Sequence, residues 1–439
     1  LNNESPSGKA TQLRRDAGEN REGEGSRAYI PSFVASYQTH YDRRPTQNPT
    51  FQGYKNEAQV YGVGLSQQTP WGMTAGLNYN LQRTHLFGVT PAFAPLTDYY
   101  DAFPKFEVSQ PLWGGFFGST VRARIEAQNA TATAAAADAR HGLRAQRLSA
   151  ELAYLRLAMA RITVLINKGA IARANALKDW TDRRARLHLT DRADVLQAEA
   201  NHKIRELELA SAQHDEKSAA REFNTLRHVE SEEVSEELRD LDVASAMKLP
   251  MPPRNGIRED VRAAEARAKA ASAASVIARE ESQPQLNATG FYALYKRDGD
   301  RGTAMSAPLS FSHPYWGAAV NLTMPLDLAA QNRLRRARNL ERDAADLEFQ
   351  STNFHSEREW LELLRKHGEY KTQLELAAGL ETVQKEKLTH EKTRLERGRT
   401  TTYQVLLFEQ DYSNAQLTRL QAQARYLKNY VSMKLWSAL

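Results

Sequence analysis

The residues of this 439-residue chain able to do chemistry are 11 histidines, 53 carboxylates and its hydroxyls, and their spacing decides whether they do any. The histidines are scattered, with no HExxH run and no paired spacing, so the pattern that holds zinc or a general base on one helix face is missing. With no cysteine there is no thiolate nucleophile, no thiolate metal site and no disulfide framework. Gly62-Val63-Gly64 lacks the third glycine and the following helix of a dinucleotide loop, and reads as small residues on a strand face. No nucleophile and base stand in a catalytic arrangement. The expectation is a protein that is not an enzyme and carries no cofactor or metal.

Charge excludes a second class. The net charge is +6, and the basic residues interleave with acids along helical stretches instead of clustering, which describes solvated helix faces and not a nucleic-acid surface. No apolar run approaches the ~18 residues a transmembrane helix needs, and mean hydropathy is −0.63. If the chain crosses a membrane, it does so with strands. It begins at Leu1, which is expected if an N-terminal segment such as a secretory signal has been removed.

The elements that position these residues form a repeat. In Phe106 to Arg124 an alternating pattern gives way, after Pro111 and the pair Gly114-Gly115, to a helical one. The same change recurs in Ala318 to Arg338: with Pro111-Leu112 laid on Pro325-Leu326, Arg122-Ala123-Arg124 falls on Arg336-Ala337-Arg338. An internal duplication of this kind governs the whole fold. Of 16 prolines, none lies between Pro111 and Pro250 and none follows Pro325. Interior proline costs a helix about 3 kcal/mol or more, so these two deserts predict extended helix.

The proline-rich parts predict strands. Phe33 to Tyr41, Gln59 to Ser66, Trp71 to Gln82 and Pro104 to Leu112 alternate apolar with polar or small residues. Two more strands are expected around Gln285 to Arg297 and Trp316 to Leu326. Loops are expected at 43–56, 85–101 and 298–314, with a short helix before Tyr29. Strands of about nine to eleven residues, apolar on one side and polar on the other, suit a lipid-facing barrel, and a soluble sandwich would alternate in the same way. The helical parts predict two hairpins. The first runs from Phe116 to about Leu187, roughly 100 Å at ~1.5 Å per residue, with a heptad seam at Leu148, Leu152, Leu155, Met159, Ile162 and Ile166. It bends at 188–191, capped by Thr190 or Asp191, and returns to about Arg227. The second runs from about Ala330 to Arg397, bends at Gly398 as a C′ residue, and returns from Thr402. An acidic run at 230–237, three prolines in 249–256 and an Ala-rich helix at 258–281 divide the copies. The organisation is therefore 1–28 N-terminal helix, 29–113 first β-segment, 114–229 first hairpin, 230–283 equatorial segment, 284–326 second β-segment and 327–439 second hairpin.

About six strands cannot close a membrane barrel, whose single-chain forms start at about eight, and long hairpins cannot bury their seams alone. Both arguments call for several copies in a ring. The chain resembles the TolC-like outer-membrane efflux and secretion channels over nearly its whole length. Gln110-Pro111-Leu112-Trp113-Gly114-Gly115 is similar to the family's strand-to-helix motif, and Pro284-Gln285-Leu286 to its entry into the second β-segment. Asp194-Val195-Leu196-Gln197-Ala198-Glu199 and Gln404-Val405-Leu406 through Glu409 resemble the starts of its returning helices.

The resemblance implies a mixed fold, a membrane β-barrel continued by an all-α barrel of coiled-coil hairpins, closed as a homotrimeric channel-tunnel. It implies the outer membrane of a Gram-negative bacterium with the helices in the periplasm, and a passive exit duct of a tripartite efflux or type I secretion system. The implied partners are a periplasmic adaptor protein, an inner-membrane transporter and outer-membrane lipid, with no nucleic acid. It places an iris-like gate at Asp194, Tyr403, Gln404 and Leu407, none of the last three acidic. It places adaptor contacts at Leu189, Thr190, Gly398, Arg399 and Thr400, the first tip lacking a glycine. The strand-to-helix junctions fall at Pro111, Gly114, Gly115 and Pro325, where Pro111 is expected to end strand pairing. Three copies would give about 18 strands, or about 12 if Gln59 to Gln82 forms an extracellular hairpin. Two other readings are carried: a periplasmic adaptor of the same machinery, and a soluble coiled-coil scaffold.

Overall fold

The computed structural model describes residues 6–21, 23–90, 92, 95–236, 243–306 and 313–437. Positions 307–312 of the expected loop, three positions of the 85–101 loop and Glu237 of the acidic run lie outside them. The chain forms two compact units, one of residues 18–134 and 264–349 and one of residues 1–17, 135–263 and 350–439.

The first unit is built on one antiparallel sheet. Its strands are β1 (Ser32–Asp42), β2 (Lys55–Gln68), β3 (Thr74–Phe87), β4 (Asp98–Trp113), β5 (Gln285–Leu294), β6 (Lys296–Asp298) and β7 (Pro314–Thr323). They are ordered β1-β2-β3-β4-β5-β7, with the short β6 paired to β4. Two short helices sit in its loops, α2 (Pro49–Gln52) and α7 (Arg301–Ser306). The tyrosine hydroxyl of Tyr79 donates to the Met305 carbonyl, holding α7 to the sheet.

Three expectations change here. β3 starts at Thr74, so Trp71 and Met73 belong to the turn, where the Thr69 N–H donates to the Met73 carbonyl at 2.8 Å. β2 pairs with β1 over Asn56–Ser66 and β3 with β4 over Thr74–His85, so Gln59 to Gln82 is part of the sheet and not a separate hairpin. Pro111 does not end pairing: it stands opposite Asn287, and the ladder continues past a register shift to Trp113 opposite Leu286. The shift accommodates a residue with no N–H to donate, as proline in a strand requires.

Register turns the alternation into two faces. Phe33, Leu65, Leu77, Phe106, Tyr292 and Trp316 lie in one row across all six long strands, and every one is exposed. On the other face Gln68, Thr74, Ser109 and Thr289 align. β1 and β7, the two edges, are exposed almost throughout.

The second unit is helical. Its long elements are α3 (Ser119–Arg186), α4 (Arg192–Arg227), α8 (Leu328–Glu396) and α9 (Thr402–Met433), of which α3 and α8 begin in the first unit. α1 (Pro6–Arg21), α5 (Val243–Met247) and α6 (Glu259–Glu281) complete the fold. Met159 and Ile166 of α3 pack with Leu374 of α8 and with Leu420, Tyr426 and Leu427 of α9. Leu157, off the heptad, is fully buried against Ala219, Ala220 and Phe223 of α4, so α3 has two apolar seams where a heptad count finds one. The acidic run is neutralised by α4: Arg221 pairs with Glu232 and Arg227 with Glu236, while Asn224 donates to the Ser231 and Glu233 carbonyls. Among the described residues no helix is long and apolar enough to cross a membrane, and no acidic, histidine or cysteine cluster could hold a metal.

Candidate functional site

Two places carry geometry beyond packing, one in each unit. In the sheet unit it is the strand-to-helix junction. After Trp113 the backbone turns through Gly114 (φ 67°), Gly115 (φ 103°), Phe117 (φ 44°) and Gly118 (φ 76°) before α3 begins. The β2–β3 turn seats on this bend: Gln110 Nε2 donates to the Trp71 carbonyl at 3.1 Å, and Arg122 donates to the carbonyls of Phe117 at 2.6 Å and Pro70 at 3.2 Å. A Cβ on Gly118 would fall 2.3 Å from the Pro70 oxygen and 2.6 Å from the Gly72 nitrogen. Contact of that kind admits only glycine. Trp71, Trp113, Phe116 and Phe117 stand exposed around the bend.

Glu280, at the end of α6, accepts from the Gly115 N–H at 3.2 Å and from Arg279 at 2.9 Å. Burial alone would raise its pKa, but these bonds outweigh it and hold the carboxyl below its ordinary value. A depressed carboxylate contributes stability that is present above its unfolded pKa and is lost as pH falls through the folded one. Melting temperature should therefore drop as the medium is acidified below about pH 4.5, and Glu280→Gln, about 1–2 kcal/mol less stable at neutral pH, should flatten that dependence. The second junction is made differently: β7 stops at Thr323, before Pro325, and Asp327 caps α8 by accepting from the Ala330 N–H at 2.8 Å.

In the helical unit the site is the pair of bends. The first closes with the Leu189 N–H donating to the Arg184 carbonyl and the His188 N–H to the Ala185 carbonyl, each at 2.9 Å. The second repeats this with Arg399 to Arg394 and Gly398 to Leu395, again at 2.9 Å. Both are Schellman closures. Arg184 and Arg394 each donate back to the carbonyl five residues on, of Leu189 and Arg399. His188, at φ 57°, thus occupies the left-handed place that Gly398 fills at φ 70°. The first tip has no glycine, yet it makes the same turn. Left-handed backbone costs a side-chain-bearing residue about 1–2 kcal/mol. His188→Gly should raise stability by about 1 kcal/mol, and Gly398→Ala should lower it by at least as much, both readable in denaturant melts.

The returning helices are capped by Asp191, whose carboxylate accepts from the Arg192 N–H at 2.7 Å, and by Thr401, whose hydroxyl accepts from the Gln404 N–H at 3.3 Å. Thr401 and Gln404 have the spacing of a capping box. Asp194 accepts from Thr190 at 2.8 Å, and Thr400 donates to Glu391, whose pKa this bond and Arg394 lower. Tyr403 and Leu407, one turn apart, are exposed on α9, whereas Gln404 is half-buried. Leu189 and Arg399 are exposed as well.

Behind the bends sits a cluster the sequence did not single out. Leu177 and Trp180 of α3, Leu388 and Leu395 of α8, and Val405, Phe408 and Tyr412 of α9 pack together. Glu409, buried on the same α9 stripe as Val405, is paired with Arg173 of α3 at 2.7 Å and Lys392 of α8 at 2.5 Å. Arg205 of α4, 3% exposed, donates to Gln410 of α9 at 2.6 Å. The signal was a carboxylate one turn after Val405 on an otherwise apolar face.

By sequence no curated protein matches the chain. Residues 257–436 match the family model described as outer membrane efflux protein. That match covers less than half of the chain. The matched residues take in α6, the second β-segment and the second hairpin. The whole chain has the fold of solved outer-membrane channels. It is similar to the CmeC outer membrane channel of Campylobacter jejuni at 16% identity, covering 97% of this chain and 81% of that one with a TM-score of 0.65. It is similar to the outer membrane protein VceC of Vibrio cholerae at 15% identity, covering 98% and 91% with a TM-score of 0.64. The open-state MtrE outer membrane channel of Neisseria gonorrhoeae aligns at 16% identity over 99% and 87%, with a TM-score of 0.64. The match over 257–436 is to outer membrane efflux proteins, and the fold of the whole chain is that of solved outer-membrane channels.

Proposed function

We propose that this chain is the exit duct of a tripartite export machine, either drug-type efflux or type I secretion, in which three copies close a barrel of about 18 strands in the outer membrane. The observation that carries the reading is the sheet itself. It has two unpaired edges, β1 and β7, a row of six exposed apolar side chains on one face and polar residues on the other. An open edge has no place in lipid, so edge β1 of one copy pairs with edge β7 of the next. The apolar row then meets lipid, the polar face lines the duct, and the aromatic residues around the junction mark its periplasmic rim. An adaptor or a soluble coiled-coil scaffold has no use for that row.

α8 supports the same assembly. Leu340, Leu347, Phe354 and Leu361 recur every seven residues and are all exposed, a seam that a neighbouring copy would cover. In the periplasm the bends form the gate and the docking tip. Tyr403 and Leu407 face the constriction with Asp194 and Gln404 beside them. The ion pairs of Glu409 hold it closed. Leu189, Thr190, Gly398, Arg399 and Thr400 meet the adaptor, which links the duct to an inner-membrane transporter. Segments 183–192 and 394–401 contain seven arginines against Asp191 and Glu396, so a contact made there is weakened by salt. Planar-bilayer recording of the purified chain tests the reading: discrete conductance steps are expected, and a protein that fractionates as soluble and never conducts would contradict it.

A further inference from the structure

β7 ends in an unbroken apolar ladder. Trp316, Val320 and Leu322 share the exposed apolar face of β7, and past its end at Thr323 Met324, Leu326 and Leu328 are exposed as well, Leu326 at 88%. About 8–12 Å beyond Leu328, at ~1.5 Å per residue, come Arg333, Arg335 and Arg336. All three are exposed, and none has an acidic partner among the described residues. At ~100° per residue they fan over roughly 160° of the helix surface.

The first copy shows what such arginines do when they have a structural task. Arg122, the counterpart of Arg336, is hydrogen-bonded to two carbonyls, and Arg124 pairs with Glu281 at 3.2 Å. Further along α8, Arg338 pairs with Glu341 and Arg342 with Asp343. Among the described residues 330–342, the arginines without an acidic partner are those three, in the turn and a half that follows the apolar ladder.

We infer that Arg333, Arg335 and Arg336 bind the phosphates of anionic glycerophospholipid headgroups in the leaflet on the helical side of the membrane. The inference rests on the proposed membrane placement of the sheet. Apolar ladder and charge are continuous along one segment: where the ladder stops, the headgroup layer begins, and guanidinium groups there meet phosphate in the fork geometry they match best. Long arginine stems reach that layer from any side of the helix not covered by a neighbour.

The test uses the full chain, folded into vesicles of phosphatidylcholine mixed with an equal part of phosphatidylglycerol, and reads the lipids retained after extraction by native mass spectrometry. Wild type should retain phosphatidylglycerol in preference to phosphatidylcholine. The triple variant Arg333→Gln, Arg335→Gln, Arg336→Gln should lose that preference at least about tenfold, while Arg338→Gln with Arg342→Gln keeps it. A triple variant that still inserts and keeps the wild-type preference overturns the inference, as does a preference abolished equally by inorganic phosphate at the same concentration. Failure of the wild type to enter either lipid would instead overturn the membrane placement on which the inference stands.

Discussion

Gly118→Ala should leave little folded protein. Gly118 sits at φ 76°, where a Cβ costs about 1–2 kcal/mol by itself. Here that Cβ would also meet the Pro70 oxygen and the Gly72 nitrogen, both backbone atoms, inside any allowed contact distance. A flexible side chain could swing aside, but the β2–β3 turn is held by Gln110 and Arg122 and cannot. The combined cost is about 2–4 kcal/mol, paid in every copy of an assembly. The measurement is the yield of heat-resistant oligomer after folding into detergent. Gly76→Ala is the control, since its Cβ would meet nothing closer than 3.6 Å. Equal yields from both variants would show that the turn does not clamp the junction.

Glu409→Ala should release the proposed gate. Glu409 is buried and binds two cations from two other helices, so one carboxylate ties α3, α8 and α9 together behind the bends. Removing one partner of a buried pair costs about 3–5 kcal/mol, and because Arg173 and Lys392 keep part of their hydration that figure is discounted to about 2–3 kcal/mol. If the open state lacks this contact, that figure enters the closed-to-open equilibrium directly, about 30-fold or more toward open. Single-channel recording should show longer open times or larger steps. Arg205→Ala, which removes the Gln410 contact between α4 and α9, should act in the same direction. Loss of folded protein without any gain in conductance would assign these contacts to stability alone.

The parts of the fold legible in the sequence were those set by period and by proline. Two deserts of proline gave the long helices, and strict alternation found all four strands of the first β-segment. What escaped had a tertiary cause. Alternation through Trp71 and Met73 runs on past the start of β3 into a tight turn, closed by the Gly72 N–H on the Thr69 carbonyl with Gly72 at φ 77°. Pro111 looked like a stop, yet a register shift lets the ladder run on to Trp113. His188 carries no glycine signal, and only the paired Schellman bonds reveal that it takes the left-handed place of Gly398. Leu157 lies outside the heptad because α3 serves two neighbours at once. Of the candidate site, the junction and the bends could be located from motifs. The clamp around Glu409 could not, since its partners come from residues more than two hundred positions apart and from a third helix.

The central claim is that β1 and β7 of successive copies join to close the barrel. The chain has no cysteine, so paired cysteines introduced along the two edges, Ala35→Cys with Ala318→Cys and its neighbours in register, report on that seam without background. Oxidation in the membrane should convert the protein to a covalent ring that runs on a non-reducing gel at three times the monomer mass and collapses on reduction. Monomers only, across the whole set of pairs in protein shown to be folded, would contradict the closure and with it the duct.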